Sequence, residues 1–322
     1  MHSLGPLFPE KTNLKVPIGE VWLTGVDCKI ATGPFAGITL GEAWKEMPAE
    51  WRGMRFTEPS DFPILIKFLF PNDKLSIQVH PDDAYAATHE KAAGGRGKTE
   101  MWHILSAQRD AQVLVGLKPG ITKESFVKAL DDHTLEDLFQ HHTVHAGDTF
   151  FVPARTPHTI GPGMVICEIQ EYSDLTYRVY DYGRLDGQGR PRELHVQKAL
   201  EVLDFVGGAT DRLVTHSANL PGENAMEPLV TCPYFRVNRW EISSRFDVRR
   251  LSRAVFCLWV FVQGEGTVTW VTGSADCKSN GTFGYKRGEC WLIPPNLVVH
   301  DIQPRDKTGL LEAFVPETSE AH

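Results

Sequence analysis

The chain has 322 residues, enough for two domains, and its hydrophobic content of 42% and charged content of 23% are ordinary for a globular protein. Its formal net charge of -8 argues against nucleic acid or an anionic membrane as a partner, although a few local cations would suffice to hold a small anionic substrate. No apolar run approaches the roughly 20 residues that span a bilayer, no secretory signal is visible, and the six cysteines contain no C-x-x-C pair. We therefore expect a cytoplasmic protein with buried thiols.

Short segments rich in β-branched and aromatic residues, bounded by Pro, Gly and Asp, predict a mainly β fold. In chain order, the first six strands are predicted at 64–70, 75–80, 101–105, 111–117, 148–153 and 164–170. Further strands of the same kind resume after residue 227 and continue to the end of the chain.

Two segments interrupt this pattern with helical spacing of their apolar residues. The first predicts a short helical insert at about 118–143, with Thr122 and Thr134 as candidate N-caps. Asp137 lies three residues after Thr134, the spacing of a capping box. The histidines at 141, 142 and 145 are expected in the C-terminal cap and loop of this insert rather than in a metal site. A second helix is predicted over 193–205.

Residues 145–160 and 286–302 share one frame. In both, a glycine precedes a proline by six residues with apolar strand residues between them, and a histidine follows, His158 in the first copy and His300 in the second. This pattern resembles half of the cupin signature, a small double-sheet jelly roll. It predicts two cupin-like jelly-roll units: a metal-binding catalytic domain over 1–205, a linker over 206–227, and a C-terminal domain over 228–322 that is expected to be metal-free.

Polar and apolar side chains alternate in the predicted strand LSIQVH, so Ser76, Gln78 and His80 share one face. Polar groups that face the inside of a β unit need partners, and Glu100 and His158 complete a possible set of four with Gln78 and His80. Two imidazoles, a carboxylate and an amide oxygen suit one Zn²⁺ per chain, or another divalent metal, with a coordination position left open. The alternative is that the histidines are satisfied core residues.

The run GGRGKTE at 94–100 ends like a phosphate-binding loop, G-x-x-x-x-G-K-[ST]. The first glycine of that pattern would fall at Ala92, and no buried strand precedes the run. The sequence therefore favours a different use for GKTE, namely presenting Glu100 as a metal ligand with Lys98 beside it.

Four segments together resemble the type I mannose-6-phosphate isomerases in their shorter bacterial form. They are SIQVHPDD (76–83), GKTEMWHIL (97–105), GDTFFVPARTPHTI (147–160) and YSDLTYRVYDYGR (172–184). The resemblance spans most of 17–205 and, more loosely, the C-terminal copy. It implies an aldose-ketose isomerase that interconverts mannose 6-phosphate and fructose 6-phosphate by metal-assisted proton transfer through an enediol. It also implies metal ligation by the same four residues.

The resemblance assigns roles to further residues. Arg178 resembles the catalytic arginine of the family, and a fixed guanidinium suits the stabilisation of a developing oxyanion. The alternative for Arg178 is a surface ion pair with Asp174 or Asp181. Lys98 and Glu168 are the other candidate catalytic residues, Glu168 by assisting proton transfer. Candidates for binding the phosphate or sugar hydroxyls are Ser76, Lys98 and Arg184.

Two other functions remain open at this level. A non-catalytic, regulatory cupin would bind hexose phosphate without isomerising it. A metal-dependent cupin dioxygenase would consume oxygen and usually presents three histidines with one carboxylate, so Gln78 in a histidine's place argues against it. A small-molecule hexose phosphate is the expected partner, and the chain is expected to be a monomer or a homodimer.

Overall fold

The computed structural model describes residues 4, 7–11, 17–56, 61–185, 187–206, 211–248, 255–274 and 277–316. The α-helices are α1 (Leu40–Glu46), α2 (Ala49–Arg52), α3 (Asp83–His89), α4 (Lys123–Asp131) and α5 (Val196–Val202). Single 3-10 turns lie at Pro9–Lys11, Met54–Phe56, Lys91–Ala93 and Leu135–Leu138. Among the described residues, no helix has both the length and the apolar character needed to cross a membrane.

Strands dominate, with 41% of the chain in strand and 16% in helix, which confirms the predicted mainly β class. The strands of the first half are β1 (Glu20–Trp22), β2 (Ile64–Leu69), β3 (Ile77–Val79), β4 (Glu100–Ala107), β5 (Gln112–Leu117), β6 (Phe139–Thr143), β7 (Thr149–Val152), β8 (His158–Ile160), β9 (Met164–Glu171) and β10 (Tyr177–Tyr180). Those of the second half are β11 (Ala218–Leu220), β12 (Asn224–Thr231), β13 (Arg236–Ile242), β14 (Phe246–Asp247), β15 (Cys257–Gln263), β16 (Glu265–Ser274), β17 (Cys277–Lys286), β18 (Cys290–Ile293), β19 (Val298–Pro304) and β20 (Thr308–Phe314).

The chain divides into two compact units, the first formed mainly by Lys67–Leu213 with Val16–Val21, and the second mainly by Trp22–Ile66 and Val214–His322. This division differs from the predicted domains, because the segment before Lys67 groups with the C-terminal unit. Aromatic packing explains the grouping: Trp44 and Phe62 place their rings 5.1 Å and 5.5 Å from the ring of Phe256.

The predicted linker over 206–227 also needs correction. Strand β11 and the first residues of β12 lie within it, and β12 pairs with β13 from Ala225 opposite Glu241 onward. The polar, turn-rich composition of this stretch does not predict strands, because the strands form only by pairing with a partner distant in sequence.

Two five-stranded sheets build the first unit, in the orders β1-β2-β9-β4-β7 and β10-β3-β8-β5-β6. Apolar residues of both sheets form one core, including Trp102, Val115, Phe150 and Ile166. A second core covers the β3 side, where Ile77 and Val79 pack with residues of α4 and α5. Since Ile77 and Val79 point to the helices, Gln78 between them points to the opposite face of the sheet.

The helical insert is shorter than predicted. Helix α4 begins after Thr122, whose side chain accepts from Ser125 N, so this predicted N-cap is confirmed. The predicted capping box of Thr134 and Asp137 is wrong: Thr134 makes no side-chain cap hydrogen bond, because only a single 3-10 turn follows it. The second helix, α5, occupies the central part of the predicted 193–205.

The histidines at 141 and 142 do not lie in a helix cap and loop as predicted. They lie on β6, opposite Leu114 and Val113 of β5. The polar sequence FQHHT has little strand signature of its own, so backbone pairing with β5 decides its conformation. His145 lies in the turn that follows.

The second unit contains a six-stranded sheet, β11-β12-β13-β20-β15-β18, and a four-stranded sheet, β14-β19-β16-β17. Two double-sheet β units are therefore present, as the repeat predicts. His300 lies on β19, but its side chain falls outside the part of the chain that the structure describes. The expectation that this unit is metal-free stays a prediction.

Candidate functional site

Strand register brings the predicted site residues of one sheet into a single row. Arg178 of β10 stands opposite Gln78 of β3, and Gln78 stands opposite His158 of β8. Paired residues of neighbouring strands project to the same face of a sheet, so these three side chains share the face that looks away from the helices.

The other sheet supplies a second row. Glu100 at the start of β4 stands opposite Gln170 of β9, and Trp102 stands opposite Glu168. Alternation along β4 and β9 therefore places Glu100, Trp102 and Glu168 on one face. All three are buried.

The GKTE run, which leads into β4, lies very close to the backbone at the start of α3. A Cβ at Gly97 would lie 2.6 Å from Asp83 N, so only glycine fits between this run and the start of α3. Gly97 N donates to Asp83 Oδ1 at 2.8 Å, and Lys98 N donates to Pro81 O at 3.0 Å. These contacts hold the run beside the segment that carries His80.

Three of the predicted ligands form a compact cluster, in which ligand atoms of His80, Glu100 and His158 all lie within 4.8 Å of one another. His158 Nε2 is 3.3 Å from Glu100 Oε1, and His80 Nε2 is 3.6 Å from Glu100 Oε2. Gln78, the fourth predicted ligand, places its Nε2 at 3.1 Å from His158 Nε2. The structure thus brings all four residues together.

Backbone carbonyls set the tautomer of both imidazoles. His80 Nδ1 donates to Leu175 O at 2.7 Å, and His158 Nδ1 donates to Thr156 O at 2.9 Å. A carbonyl only accepts, so each Nδ1 carries the hydrogen and each Nε2 keeps its lone pair. Such a contact fixes a ligating histidine and directs its free nitrogen toward the metal.

The environment also keeps the imidazoles neutral. Burial, followed by repulsion from Lys98 and His158, lowers the pKa of His80 well below its usual value. Burial lowers the pKa of His158 to about 4, against the opposing hydrogen bond to Thr156. Both side chains are therefore in the form that binds a metal at neutral pH.

Glu100 is the residue of this cluster with unmet bonding capacity. Both of its carboxylate oxygens are buried, and Oε1 accepts no hydrogen bond from the described residues. Lys98 Nζ lies 3.0 Å from Glu100 Oε2 as an ion pair and 3.3 Å from His80 Nε2. Burial disfavours the Lys98 charge, but Glu100 and Glu168 outweigh burial and hold the pKa of Lys98 above its usual value.

Glu168 lies in the same interior and is held by an indole. Trp102 Nε1 donates to Glu168 Oε2 at 3.1 Å. Burial, reinforced by the Glu100 charge, raises the pKa of Glu168 to about 7. A carboxyl group of this kind can be present in either protonation state near neutral pH.

The donor set fits a divalent metal. Two lone-pair nitrogens converge on a buried carboxylate, and such a set of imidazole and carboxylate donors is found in catalytic Zn²⁺ sites. The Gln78 amide presents nitrogen to His158, so ligation by Gln78 would require its oxygen at that place instead.

The predicted phosphate residues lie in a different part of the unit. Arg184 donates through Nε to Asp181 O at 3.2 Å, and through its NH groups to Asp181 Oδ1 and to Lys74 O. Lys98 lies in the ligand cluster instead, and Ser76 is buried on the β3 segment.

Arg178 does not form the alternative ion pair. Asp174 pairs with Lys67 and Asp181 pairs with Arg184, while Arg178 donates to Glu193 O at 2.9 Å.

Sequence reasoning missed residues that support the site. Arg192 pairs with the buried Asp181 next to Arg184, and Leu175 contributes only its carbonyl. The charge-rich run RPREL at 190–194 was a visible signal for Arg192. A backbone carbonyl leaves no signal in the sequence, because every residue has one.

The fold and the cluster define a double-sheet β protein whose interior is suited to a metal ion. A family model described as the catalytic domain of type I phosphomannose isomerase matches residues 6–114. The chain is 34% identical over 283 residues to the mannose-6-phosphate isomerase ManA of Bacillus subtilis (strain 168), covering 87% of this chain and 84% of the relative. It is 37% identical over 259 residues to the mannose-6-phosphate isomerase of Streptococcus mutans serotype c, covering 78% and 77%.

A solved structure agrees with these relatives. The mannose 6-phosphate isomerase from Bacillus subtilis superposes with a TM-score of 0.82 at 27% identity, covering 97% of this chain and 95% of that one. The chain therefore belongs to the type I mannose-6-phosphate isomerase family. The predicted cupin-like fold is confirmed, and the dioxygenase and regulatory alternatives are not favoured.

Substitution of His80 tests the metal cluster. Elemental analysis of the purified protein should give about one equivalent of divalent metal per chain, following the number of ligand sets. His80→Ala should abolish that content, since it removes a ligand whose lone pair faces Glu100.

His141→Ala is the matched control, because His141 is an exposed histidine on β6 and should leave the metal content unchanged. Full metal content in folded His80→Ala would refute the assignment of the cluster.

Proposed function

We propose that the protein interconverts mannose 6-phosphate and fructose 6-phosphate. The observation that carries this proposal is the row of Arg178, Gln78 and His158 facing the buried Glu100 cluster. The register supports this proposal because it puts Arg178 on the strand next to Gln78 and two strands from His158. The names of the relatives supply the substrate, and the geometry supplies the groups that an aldose-ketose isomerisation needs.

The metal is proposed to be one Zn²⁺, held by Gln78, His80, Glu100 and His158. Imidazole and carboxylate donors suit this ion, although other divalent metals accept the same donor set. When bound, such an ion supplies Lewis-acid polarisation of the sugar oxygens. The chain's own residues then have to orient the sugar, exclude water and move protons.

Arg178 is proposed to stabilise the negative charge that develops on the sugar oxygens in the transition state. Its backbone is held at one edge of β10, because Arg178 N donates to His195 Nδ1 at 3.3 Å and Arg178 O accepts from His195 N at 2.7 Å. Its Nε is buried without a hydrogen-bond partner among the described residues, so a donor remains available for substrate. Preorganised cationic donors of this kind act most strongly where water is excluded.

Glu168 is proposed to assist proton transfer between C1 and C2. Isomerisation removes a proton from one carbon and returns one to its neighbour, so the same carboxyl group can act as base and then as acid. The bond from Trp102 Nε1 fixes one oxygen of Glu168. Lys98 is proposed to contact the same end of the sugar, since its ammonium group is held between Glu100 and His80.

Arg184 and Ser76 are proposed to bind the phosphate or hydroxyl groups farther from the metal. Arg184 supplies planar charged donors, which bind phosphate well, and Ser76 precedes the strand that carries Gln78. A cytoplasmic location and a monomeric or homodimeric state are also proposed.

The direct test is turnover by the wild-type chain. Metal-loaded protein supplied with mannose 6-phosphate should produce fructose 6-phosphate, detected by a coupled assay with the metal quantified in the same sample. Oxygen consumption should stay at the level of a blank. Folded, metal-loaded protein that gives no fructose 6-phosphate would refute the proposed activity.

Removing the guanidinium of Arg178 separates its role from substrate binding. Arg178→Ala should lower kcat and kcat/KM together by about 10²–10³, because the lost donor acts mainly in the transition state. Bound metal should be unchanged, since Arg178 is not a ligand.

Arg109→Ala removes the same charge from an exposed turn between β4 and β5 and serves as the control. Normal turnover in metal-loaded Arg178→Ala would reject the assignment of this arginine while leaving the proposed activity intact.

A further inference from the structure

Asp181, directly after β10, binds two arginines at once. Its side chain is only 5% exposed. Arg192 Nε donates to Asp181 Oδ2 at 2.6 Å while an Arg192 NH group donates to Oδ1, which gives a two-point contact. Arg184 donates to the same Oδ1 at 2.5 Å. One buried carboxylate therefore orients two guanidinium groups side by side.

The segment that carries Arg192 also runs alongside Arg178. An NH group of Arg178 donates to Glu193 O at 2.9 Å, and His195 N donates to Arg178 O at 2.7 Å. Arg192 is the residue before Glu193, so it adjoins a segment that is hydrogen-bonded to Arg178. The Arg192 side chain stays 37% exposed, so a ligand from solvent can reach it.

Among the described residues of this cluster, the guanidinium groups outnumber the buried carboxylates. Arg178, Arg184 and Arg192 contribute three positive charges, and Asp181 contributes one buried negative charge. Two further carboxylates are largely exposed to solvent, which weakens their effect: Asp73 Oδ2 lies 3.8 Å from Arg184 on a side chain that is 79% exposed, and the side chain of Glu193 is 83% exposed. Burial, then repulsion by Arg192, lowers the pKa of Arg178, with Asp181 opposing the shift. An excess of fixed cations is a site for an anion.

The position of this excess positive charge, relative to the ligand cluster, suits a sugar phosphate that binds with one end at each place. Arg178 stands opposite Gln78, and Gln78 opposite His158, so Arg178 lies at the outer edge of the row that leads to the ligand cluster, and Asp181 follows Arg178 by three residues. A ligand with its carbonyl end at the cluster would present its far end to Asp181's two arginines.

We propose that Arg192 is a specificity-determining residue that binds the phosphate of the sugar, with Asp181 as the positioning residue that sets Arg192 and Arg184 as a paired donor surface. This inference rests on the proposed function for the identity of the sugar. The binding of a phosphate group itself can be measured without turnover.

Calorimetric titration of the metal-loaded protein with inorganic phosphate tests the site directly. Arg192→Ala should raise the Kd for phosphate by about 10–100-fold, the effect of losing charge-assisted hydrogen bonds. Arg192→Lys keeps a positive charge and should lose less affinity than Arg192→Ala. Arg184→Ala should weaken phosphate binding in the same way. In turnover assays Arg192→Ala should raise KM for mannose 6-phosphate and leave kcat within about threefold, because a phosphate contact acts alike on ground and transition states.

Arg109→Ala controls for the overall loss of one positive charge and should leave the Kd for phosphate unchanged. Arg192→Ala is expected to fold, since Arg184 still pairs with Asp181, and its thermal unfolding confirms this before titration. A Kd for phosphate within twofold of wild type in Arg192→Ala, or no phosphate binding by wild type, would overturn the inference. Phosphate binding that depends on Arg192 in a protein without isomerase activity would uphold it while refuting the proposed function.

Discussion

The Glu100 carboxylate is fully buried, and its Oε1 accepts no hydrogen bond from any described residue. A buried ion left in this state costs several kcal/mol unless charges or a metal compensate it. Lys98 supplies one compensating charge at 3.0 Å, and two neutral imidazoles direct lone pairs at the same place. Those lone pairs cannot stabilise an anion. The arrangement is therefore unfavourable as a self-contained polar core and favourable as a ligand set for a cation.

Several features of the first unit hold Glu100 and the side chains around it in place. The apolar face of β3 packs against α4 and α5, which forces Gln78 inward, and the narrow approach at Gly97 holds Lys98 and Glu100 beside His80. Backbone carbonyls of Leu175 and Thr156 fix both imidazole tautomers. The same strand row continues outward to Arg178 and the arginines around Asp181. The proposed ligands Gln78 and His158 and the proposed transition-state donor Arg178 thus lie on adjacent strands of one sheet, and the proposed phosphate donors follow the last of these strands.

That Gln78, His80, Glu100 and His158 lie together could be predicted from the sequence, because period-two alternation in SIQVH and the repeated glycine–proline–histidine frame are local patterns. The sequence predicted less of what depends on distant partners. Strand β6 forms because FQHHT pairs with β5, and α1 groups with the second unit through contacts of Trp44 with Phe256. The start of helix α1 could have been predicted, since Thr39 and Glu42 form a capping box and match its sequence pattern T-x-x-E. The contact of Asp181 with two arginines could not be predicted from the sequence, because no spacing rule relates residues 181 and 192.

Thermal unfolding of wild type and Glu100→Gln, each with Zn²⁺ and with a chelator, tests the central claim most directly. A metal at about 100 times its Kd stabilises the folded state by about 2.7 kcal/mol, which raises Tm by about 5–10 °C in a unit of 150–250 residues. The account predicts a shift of this size for wild type. It predicts almost none for Glu100→Gln, which keeps the shape of the side chain and loses the charge. An equal shift in both proteins, or none in wild type, would contradict the claim that Glu100 is built to bind a metal.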